Sequence, residues 1–333
     1  MGVVIDVHTH MVPQHIPGRS CARAWPSVEA DEQGNAAILI DGKVFRRVDS
    51  RCWDMSERLI DMEAQKIDVQ VLSPMPELLS HWMTAVDAEY LAAHINESIA
   101  GMIAQAPDRF RGLGMVCAQD TSIAVRQLED IRKLGLSGIE IGTHINGVAL
   151  GDERLHPIYE AAEALGLGIF IHPLHPAGLE RIAGGPEFAP IAAFPLETAF
   201  AATSLLANGV PTRYSQLRLL FSHGGGALPW ILPRMDVGWA MSPVMQSKMP
   251  QRPSEIARSF WFDSVVFEEE MFRFMERTLG RECLVLGSDA PFLLGQQHPV
   301  DFVTRAIESP ATVLYDNALA FLDGRGTQPL KVS

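Results

Sequence analysis

Short apolar, β-branched runs recur along the whole chain, and longer segments with helical spacing separate most of them. Eight runs are predicted as strands: Val3–Val7, Val69–Leu72, Gly112–Val116, Gly138–Ile141, Gly168–Ile171, Leu217–Phe221, Phe260–Val266 and Cys283–Leu286. The predicted helices are Met55–Lys66, Asp87–Ala106, Ser122–Leu134, His156–Leu165, Leu196–Ala207 and Glu268–Thr278. Alternating strands and helices form right-handed βαβ units, so we expect an α/β fold with a parallel sheet, and eight units favour a closed (β/α)8 TIM-type barrel.

An open, doubly wound sheet is the alternative fold for this alternation. Its usual glycine fingerprint after the first strand is missing, because that strand continues into His8-Thr9-His10. The chain has 333 residues, and α/β barrels of this size with insertions form one domain. We therefore expect residues 1–333 to be a single barrel domain.

Two regions interrupt the alternation. The first, residues 11–50, contains several prolines and glycines and a pair of short apolar runs, Ala37–Ile40 and Val44–Val48, on either side of Asp41-Gly42. This pattern predicts an inserted hairpin, which would cover the mouth of the barrel because it follows the carboxyl end of the first strand. The second region, His175–Pro195, is predicted as a long loop after strand five.

Polar side chains stand at the carboxyl ends of four predicted strands. His8 and His10 end the first strand, His172 the fifth, His223 follows the sixth and Asp289 follows the eighth. Residues two apart on a strand face the same side, so His8 and His10 can reach one ion. Because barrel active sites form at the carboxyl ends of the strands, we expect these five side chains to meet there.

Imidazole nitrogens together with a carboxylate are the ligands of a divalent metal site. They suit Zn²⁺, and three or four protein ligands leave a position for water or substrate. Zinc is our first expectation, and Mn²⁺, Fe²⁺ or Co²⁺ could use the same ligands.

The segments IDVHTH, FIHP, FSHGGG and LGSDAPF, in this order and spacing, resemble the amidohydrolase superfamily and specifically its decarboxylase branch. The similarity covers essentially the whole chain and extends to the segments Asp41–Arg46, Cys52–Asp54, Val71–Ser73, Ile141–His144 and Asn317–Leu322. The resemblance implies that His8, His10, His172 and Asp289 are metal ligands. It also implies that His223 is the acid/base beside the metal, so we count His223 and Asp289 as catalytic.

The same resemblance assigns two arginines to substrate binding. It implies that Arg46, on the inserted hairpin, holds a substrate carboxylate and that Arg234 reaches the neighbouring active site across a homodimer interface. On the residues alone, surface ion pairs would account for both arginines. The match departs at Leu174-His175-Pro176 and at Pro190, in the predicted substrate loop. His175 is a further predicted substrate contact, because it lies three residues after a ligand.

The formal net charge of −13 argues against nucleic-acid and anionic-membrane partners, which require a basic surface. The four cysteines, Cys21, Cys52, Cys117 and Cys283, form neither a CxxC pair nor a disulfide framework, which favours a reducing compartment. The N-terminus does not resemble a signal peptide, and no uncharged apolar run approaches the roughly 20 residues that span a bilayer. We expect a cytoplasmic protein.

The function that these features indicate is metal-dependent, non-oxidative decarboxylation of an unsaturated or aromatic carboxylate in aromatic-compound catabolism. One alternative is a hydrolase or hydratase on the same scaffold, in which metal-activated water attacks a lactone, amide or double bond with His223 as base. Release of CO₂ distinguishes the two activities. The other alternative, a non-catalytic metal-binding protein, predicts that Asp289→Ala changes no activity.

Overall fold

The computed structural model describes residues 2–19, 25–31 and 34–324. Within these ranges the strands are β1 (Ile5–Met11), β2 (Pro26–Ala30), β3 (Ala36–Ile40), β4 (Lys43–Val48), β5 (Val69–Pro74), β6 (Phe110–Gly114), β7 (Gly138–Gly142), β8 (His144–Ile145), β9 (Val148–Ala149), β10 (Gly168–His172), β11 (Arg218–Phe221) and β12 (Trp261–Phe262). Seven of them form one parallel sheet in the order β1-β5-β6-β7-β10-β11-β12. Neighbours in the sheet follow the chain order, as expected for a TIM-type barrel.

The segment of the predicted eighth run, Cys283–Leu286, joins the two edges of this sheet. Val285 N donates to Phe262 O, and Val7 N donates to Leu286 O at 2.9 Å. The backbone therefore closes the ring between β12 and β1, and the expected α/β barrel is confirmed. However, the eighth run makes isolated bridges and is not a regular strand.

The seventh strand is also shorter than its apolar run suggests. The prediction covered residues 260–266, whereas β12 has two residues. Asp263, directly after β12, accepts hydrogen bonds through its side chain from the backbone N–H of Val265 and of Gly224. These bonds hold the chain in a turn, so the backbone leaves the sheet there.

Helices pack around the sheet and close one end of the barrel. They are α1 (Met55–Gln65), α2 (Ala85–Ile103), α3 (Thr121–Lys133), α4 (His156–Leu165), α5 (Phe194–Ala207), α6 (Val210–Arg213), α7 (Leu228–Met241), α8 (Pro243–Lys248), α9 (Pro253–Ala257), α10 (Glu269–Leu279), α11 (Pro299–Ala306) and α12 (Asn317–Asp323). Phe321 and Leu322 of α12 pack against the barrel interior residues Ile5, Val71 and Leu220. This helix fills the end of the barrel opposite the carboxyl ends of the strands.

A register shift in β1 changes the direction in which its side chains point. The pairing with β5 shifts between Asp6 and Thr9. Adjacent residues of a regular strand point to opposite faces, but an irregularity of this kind re-aims the following side chain. Val7 packs in the barrel interior, and His8 and His10 are also completely buried. After the shift, the apolar side chains of β1 lie within the barrel, and the imidazoles of His8 and His10 lie nearer the carboxyl ends of the strands.

The inserted segment forms a three-stranded antiparallel sheet, β2-β3-β4. The predicted hairpin is confirmed as β3 and β4, and β2 adds a strand that the sequence did not indicate. Cys52, Cys117 and Cys283 are free and buried, and Cys21 lies outside the described residues.

One helical segment of the described chain, Ala189–Ala207, is long and apolar enough to cross a membrane by length and composition alone. It is 44% buried in the structure, and Glu197 interrupts its apolar sequence. The core helix of a globular protein passes the same test, so this feature is weak evidence for a membrane span.

Candidate metal centre and active site

Four buried side chains converge at the carboxyl ends of the barrel strands. His8 and His10 come from β1, His172 ends β10, and Asp289 follows the segment that closes the barrel. One ligand atom from each of the four lies within 4.8 Å of the others. The sequence-predicted ligand set is therefore brought together as one divalent metal site.

The outer nitrogens of His8 and His10 are held by acceptors. His8 Nδ1 donates to Asp263 Oδ2 at 2.5 Å, and His10 Nδ1 donates to the carbonyl oxygen of Pro74 at 3.0 Å. Because a carbonyl and a carboxylate only accept, both Nδ1 atoms carry a proton, so each ring turns its Nε2 inward, toward the position that a cation would occupy. The two Nε2 atoms are 3.0 Å apart. Two ring nitrogens that face one point are the arrangement that a cation requires.

His172 and Asp289 complete this arrangement. His172 Nδ1 lies 3.0 Å from the carbonyl oxygen of Pro173, which fixes the same tautomer. Its Nε2 and Asp289 Oδ1 are buried atoms without a hydrogen-bond partner among the described residues. Asp289 Oδ1 lies 3.2 Å from His8 Nε2 and 3.1 Å from His10 Nε2. Buried polar atoms are normally satisfied, so these atoms fit a metal ion.

The protonation states suit the same interpretation. Burial by itself would raise the pKa of Asp289, but His8, His10 and His223 hold that pKa well below its ordinary value. Burial lowers the pKa of His10 to about 4 and that of His172 well below its ordinary value. Burial by itself would lower the pKa of His8, but Asp289 and Asp263 raise it to about 10, so a metal ion that binds His8 Nε2 would displace a proton from that nitrogen. The negative charge that raises it also attracts a divalent ion.

His223 stands beside the four ligands on a glycine-rich turn. Its Nε2 lies 3.7 Å from Asp289 Oδ2, and its side chain lines the cavity above the site. Its own backbone has φ of 53°, and Gly224 to Gly226 also have positive φ. A Cβ on Gly226 would overlap the carbonyl oxygen of Pro195. The turn therefore needs glycine to place His223 against the metal ligands.

Sequence reasoning missed two buried acids at this site. Asp263 supports His8 and also accepts from the backbone N–H of His223 at 3.0 Å. It directly follows the strand residues Trp261-Phe262. A polar residue after an apolar strand is the pattern that predicted the other site residues. Glu140, within β7, has a carboxylate oxygen 3.7 Å from His10 Nδ1, and burial raises its pKa well above the ordinary value. Its position inside an apolar run concealed it.

A cavity of about 830 Å³ opens above the ligands. Arg46 lines it, and its Nη2 donates to Glu77 Oε1 at 2.8 Å, while its role in substrate binding stays a prediction. The guanidinium carbon of Arg46 lies 4.3 Å from the ring centre of Phe292. Pro190 and His172 also line this space. The inserted sheet therefore contributes to the mouth of the site.

The other two predicted substrate residues lie outside this cavity. Arg234 is exposed on α7 and makes no ion pair within the part of the chain that the structure describes. His175 is exposed, its ring contacts Trp82 at 5.0 Å, and its carbonyl oxygen accepts from His144 Nε2. Neither is brought to the metal ligands within one chain, and both roles stay predictions.

The barrel, the converging ligands and the cavity define a metal-dependent enzyme of the amidohydrolase type. The sequence profile of the amidohydrolase family matches residues 5–324. The chain belongs to this family and, by its relatives, to the decarboxylases within it.

Three relatives illustrate the similarity. The 2-amino-3-carboxymuconate-6-semialdehyde decarboxylase of Dictyostelium discoideum is 36% identical, over 96% of this chain and 91% of its own length. The gamma-resorcylate decarboxylase of Rhodococcus jostii is 26% identical, over 82% of this chain and 86% of its own. The solved 5-carboxyvanillate decarboxylase of Novosphingobium aromaticivorans, complexed with manganese and 4-hydroxy-3-methoxy-5-nitrobenzoic acid, is 25% identical with a TM-score of 0.69, covering 80% of this chain and 79% of that one.

Proposed function

We propose that this chain is a metal-dependent decarboxylase that releases CO₂ from an unsaturated or aromatic carboxylate in aromatic-compound catabolism. The observation that carries the proposal is the convergence of three imidazole Nε2 atoms and the Asp289 carboxylate at the base of the cavity. The three relatives named above, all decarboxylases, support the same reaction class.

The reaction breaks a carbon–carbon bond and leaves an electron pair on carbon, which takes up a proton. A divalent ion bound by the four ligands would act as a Lewis acid that polarises substrate oxygens. His223 lines the cavity within 3.7 Å of Asp289 and is positioned to deliver the proton to that carbon. Asp289 lies beside His223 and would also hold the ion, so it would keep the two close together. Arg46 donates N–H groups to substrate oxygens and orients the bond that breaks.

Zinc is the ion that we propose first, because three imidazoles and one carboxylate suit it. The manganese in the carboxyvanillate relative makes Mn²⁺ the second choice. Reconstitution of chelator-treated protein with Zn²⁺, Mn²⁺, Fe²⁺ or Co²⁺ tests the assignment, with turnover and thermal stability measured for each ion. Zinc is the wrong choice if another ion gives higher turnover at equal occupancy.

We propose a homodimer in which α7 lies at the interface. Trp230, Val237 and Met241 are 73%, 62% and 79% exposed, and with Arg234 they lie on one face of α7. Phe200 of the neighbouring α5 is also exposed. A contiguous apolar face of this kind marks an interaction surface, and its central arginine would enter the partner's site.

Mixing two inactive variants tests this arrangement. If Arg234 acts across the interface, Arg234→Ala and His223→Ala proteins are each inactive, and activity reappears when they are mixed and allowed to exchange subunits. Each mixed dimer then contains one site with both residues. No recovery in a mixture shown to exchange subunits contradicts the role of Arg234, and a monomer in solution contradicts the dimer.

We also propose that the protein is cytoplasmic, without nucleic-acid or membrane partners, and that His175 contacts the bound substrate. His175→Ala should raise KM more than it lowers kcat if the contact exists.

The deciding assay for the function is CO₂ release from hydroxybenzoates and unsaturated semialdehyde acids by metal-loaded protein, with Asp289→Ala as the inactive control. Hydrolysis or hydration without CO₂ would favour the other activity of this scaffold.

A further inference from the structure

Arg58 of α1 is a charged side chain that the protein encloses almost completely. It is 2% exposed, and it makes no ion pair with a carboxylate in the part of the chain that the structure describes. Its acceptors are uncharged, and they belong to Thr9, His10, Arg51 and Gln70. Arginine keeps its proton in proteins, and burial of an unpaired charge is unfavourable. An apolar side chain would fill the same space more easily, so packing alone does not account for Arg58.

The guanidinium of Arg58 holds the strand segment that lies between the two metal ligands of β1. Its Nη2 donates to the carbonyl oxygen of His10, and its Nη1 donates to Thr9 Oγ1 at 3.2 Å. Thr9 separates His8 from His10, and its own hydroxyl donates to the carbonyl oxygen of Val71 at 2.8 Å. One planar group therefore fixes both the backbone and a side chain of this segment.

These hydrogen bonds lie where the regular pairing of β1 is interrupted. The register between β1 and β5 shifts between Asp6 and Thr9. Arg58 Nη1 also lies 3.3 Å from Gln70 Oε1 on β5, and its Nε donates at 2.8 Å to the carbonyl oxygen of Arg51, in the short helix before α1. A single side chain thus connects the irregular end of β1 to the neighbouring strand and to the segment that leads into α1.

The direction of the His10 imidazole depends on both of its connections. The ring is fixed at Nδ1, which donates to the carbonyl oxygen of Pro74 at 3.0 Å, and the backbone is fixed at the carbonyl oxygen that Arg58 contacts. Arg58 is not among the described residues that line the cavity, so within one chain it acts through the ligand segment. Its positive charge by itself repels a second cation, and any benefit to metal binding must come from its hydrogen bonds.

We propose that Arg58 is a positioning residue of the metal site, which holds the segment His8-Thr9-His10 in the geometry that a bound ion requires. The inference rests on the proposed function only through the metal site that this function needs, and its test uses no substrate. Four acceptors in different directions need the planar fork of a guanidinium, which a lysine ammonium cannot replace.

Arg58→Lys separates the hydrogen bonds from the charge, because it keeps the charge but loses the fork. We expect the dissociation constant for Zn²⁺, measured by competition with a chelator, to rise about 10- to 100-fold. Co²⁺ in place of Zn²⁺ gives a second measurement, since the visible absorption of bound Co²⁺ depends on the geometry of its ligands. The spectrum of the variant should differ from that of the wild type.

Arg218 provides a matched control at the opposite end of the barrel. It is 6% exposed, and its guanidinium also donates to backbone carbonyl oxygens, those of Gly166 and Phe321. Arg218→Lys should lower Tm, as Arg58→Lys does, but keep the wild-type Zn²⁺ affinity and Co²⁺ spectrum. Wild-type affinity and spectrum in Arg58→Lys overturn the inference, and so does an equal loss of affinity in Arg218→Lys.

If Arg58→Lys does not fold, Arg58→Gln replaces it under the same criteria. Loss of a positive charge would by itself strengthen cation binding, so weaker binding in this variant again identifies the hydrogen bonds. Weaker Zn²⁺ binding in the variant, without CO₂ release from any acid by the metal-loaded wild type, rejects the decarboxylase but keeps the role of Arg58. CO₂ release by the wild type, with unchanged metal binding in the variant, does the reverse.

Discussion

His8 Nδ1, on β1, and Asp263 Oδ2, directly after β12, lie 2.5 Å apart, and both side chains are completely buried. Asp263 also accepts from the backbone N–H of His223 and of Gly224. One carboxylate therefore orients a metal ligand and anchors the turn that carries His223, the proposed acid/base.

Asp263→Asn should weaken metal binding by about 10- to 100-fold, because the neutral amide no longer fixes the tautomer of His8 as strongly. The affinity can be measured by competition with a coloured zinc chelator. Asp130→Asn, on the exposed surface of α3, is the control and should keep the wild-type affinity. An unchanged affinity in Asp263→Asn would show that His8 does not need this support.

Removal of a ligand should empty the metal site. His172→Ala removes a buried Nε2 that has no hydrogen-bond partner in the described part of the chain, so we expect about one bound ion per wild-type chain and a large loss in the variant. Elemental analysis of the purified proteins measures this. The control is His298→Ala, because His298 is exposed at the start of α11. Equal metal content in all three proteins would contradict the ligand assignment.

Protonation of His81 should oppose folding in acid. Burial lowers the pKa of His81 to about 3, and its Nε2 accepts from Gly142 N at 3.2 Å. Between pH 6.5 and 3 the unfolded chain binds a proton that the folded chain does not, so stability falls as the pH falls. From pH 7 to pH 5 this group should remove about 2 kcal/mol from the free energy of unfolding.

The matching variant is His81→Gln, which can still accept the bond from Gly142 but does not titrate. Urea unfolding of both proteins at pH 7 and pH 5 gives the comparison. The stability difference between them should change in favour of the variant by about 2 kcal/mol at the lower pH. Identical pH slopes would mean that His81 is protonated in the folded protein.

The glycine turn should not accept a side chain. Gly226→Ala would place a Cβ on the carbonyl oxygen of Pro195 at a positive φ of 59°, so the turn must move and displace His223. We expect lost turnover and a lower Tm. Gly101→Ala in α2, where a Cβ meets nothing within 4 Å, should instead raise stability by about 0.5–1 kcal/mol. Wild-type turnover in Gly226→Ala would show that the turn tolerates the displacement.

Much of the barrel could be predicted because each strand and helix has its own local pattern. The helix His156–Leu165 has the predicted bounds, and Met55–Gln65 differs by one residue from the prediction. The prediction was less accurate where side chains from distant segments bend the backbone. Asp263 ends β12 by bonding to Gly224, a contact that no local pattern contains.

The sequence by itself determined the parallel α/β barrel and the ligand set, since strand ends converge in any closed barrel and His8, His10, His172 and Asp289 stand at those ends. Only the tertiary structure decided how these ligands are supported and how the cavity is charged. Asp263 supports His8 from 255 residues away, and Glu77 neutralises Arg46 from a separate segment. Burial and pairing depend on which segments meet in space, so the charge that a substrate encounters could be known only from the folded chain.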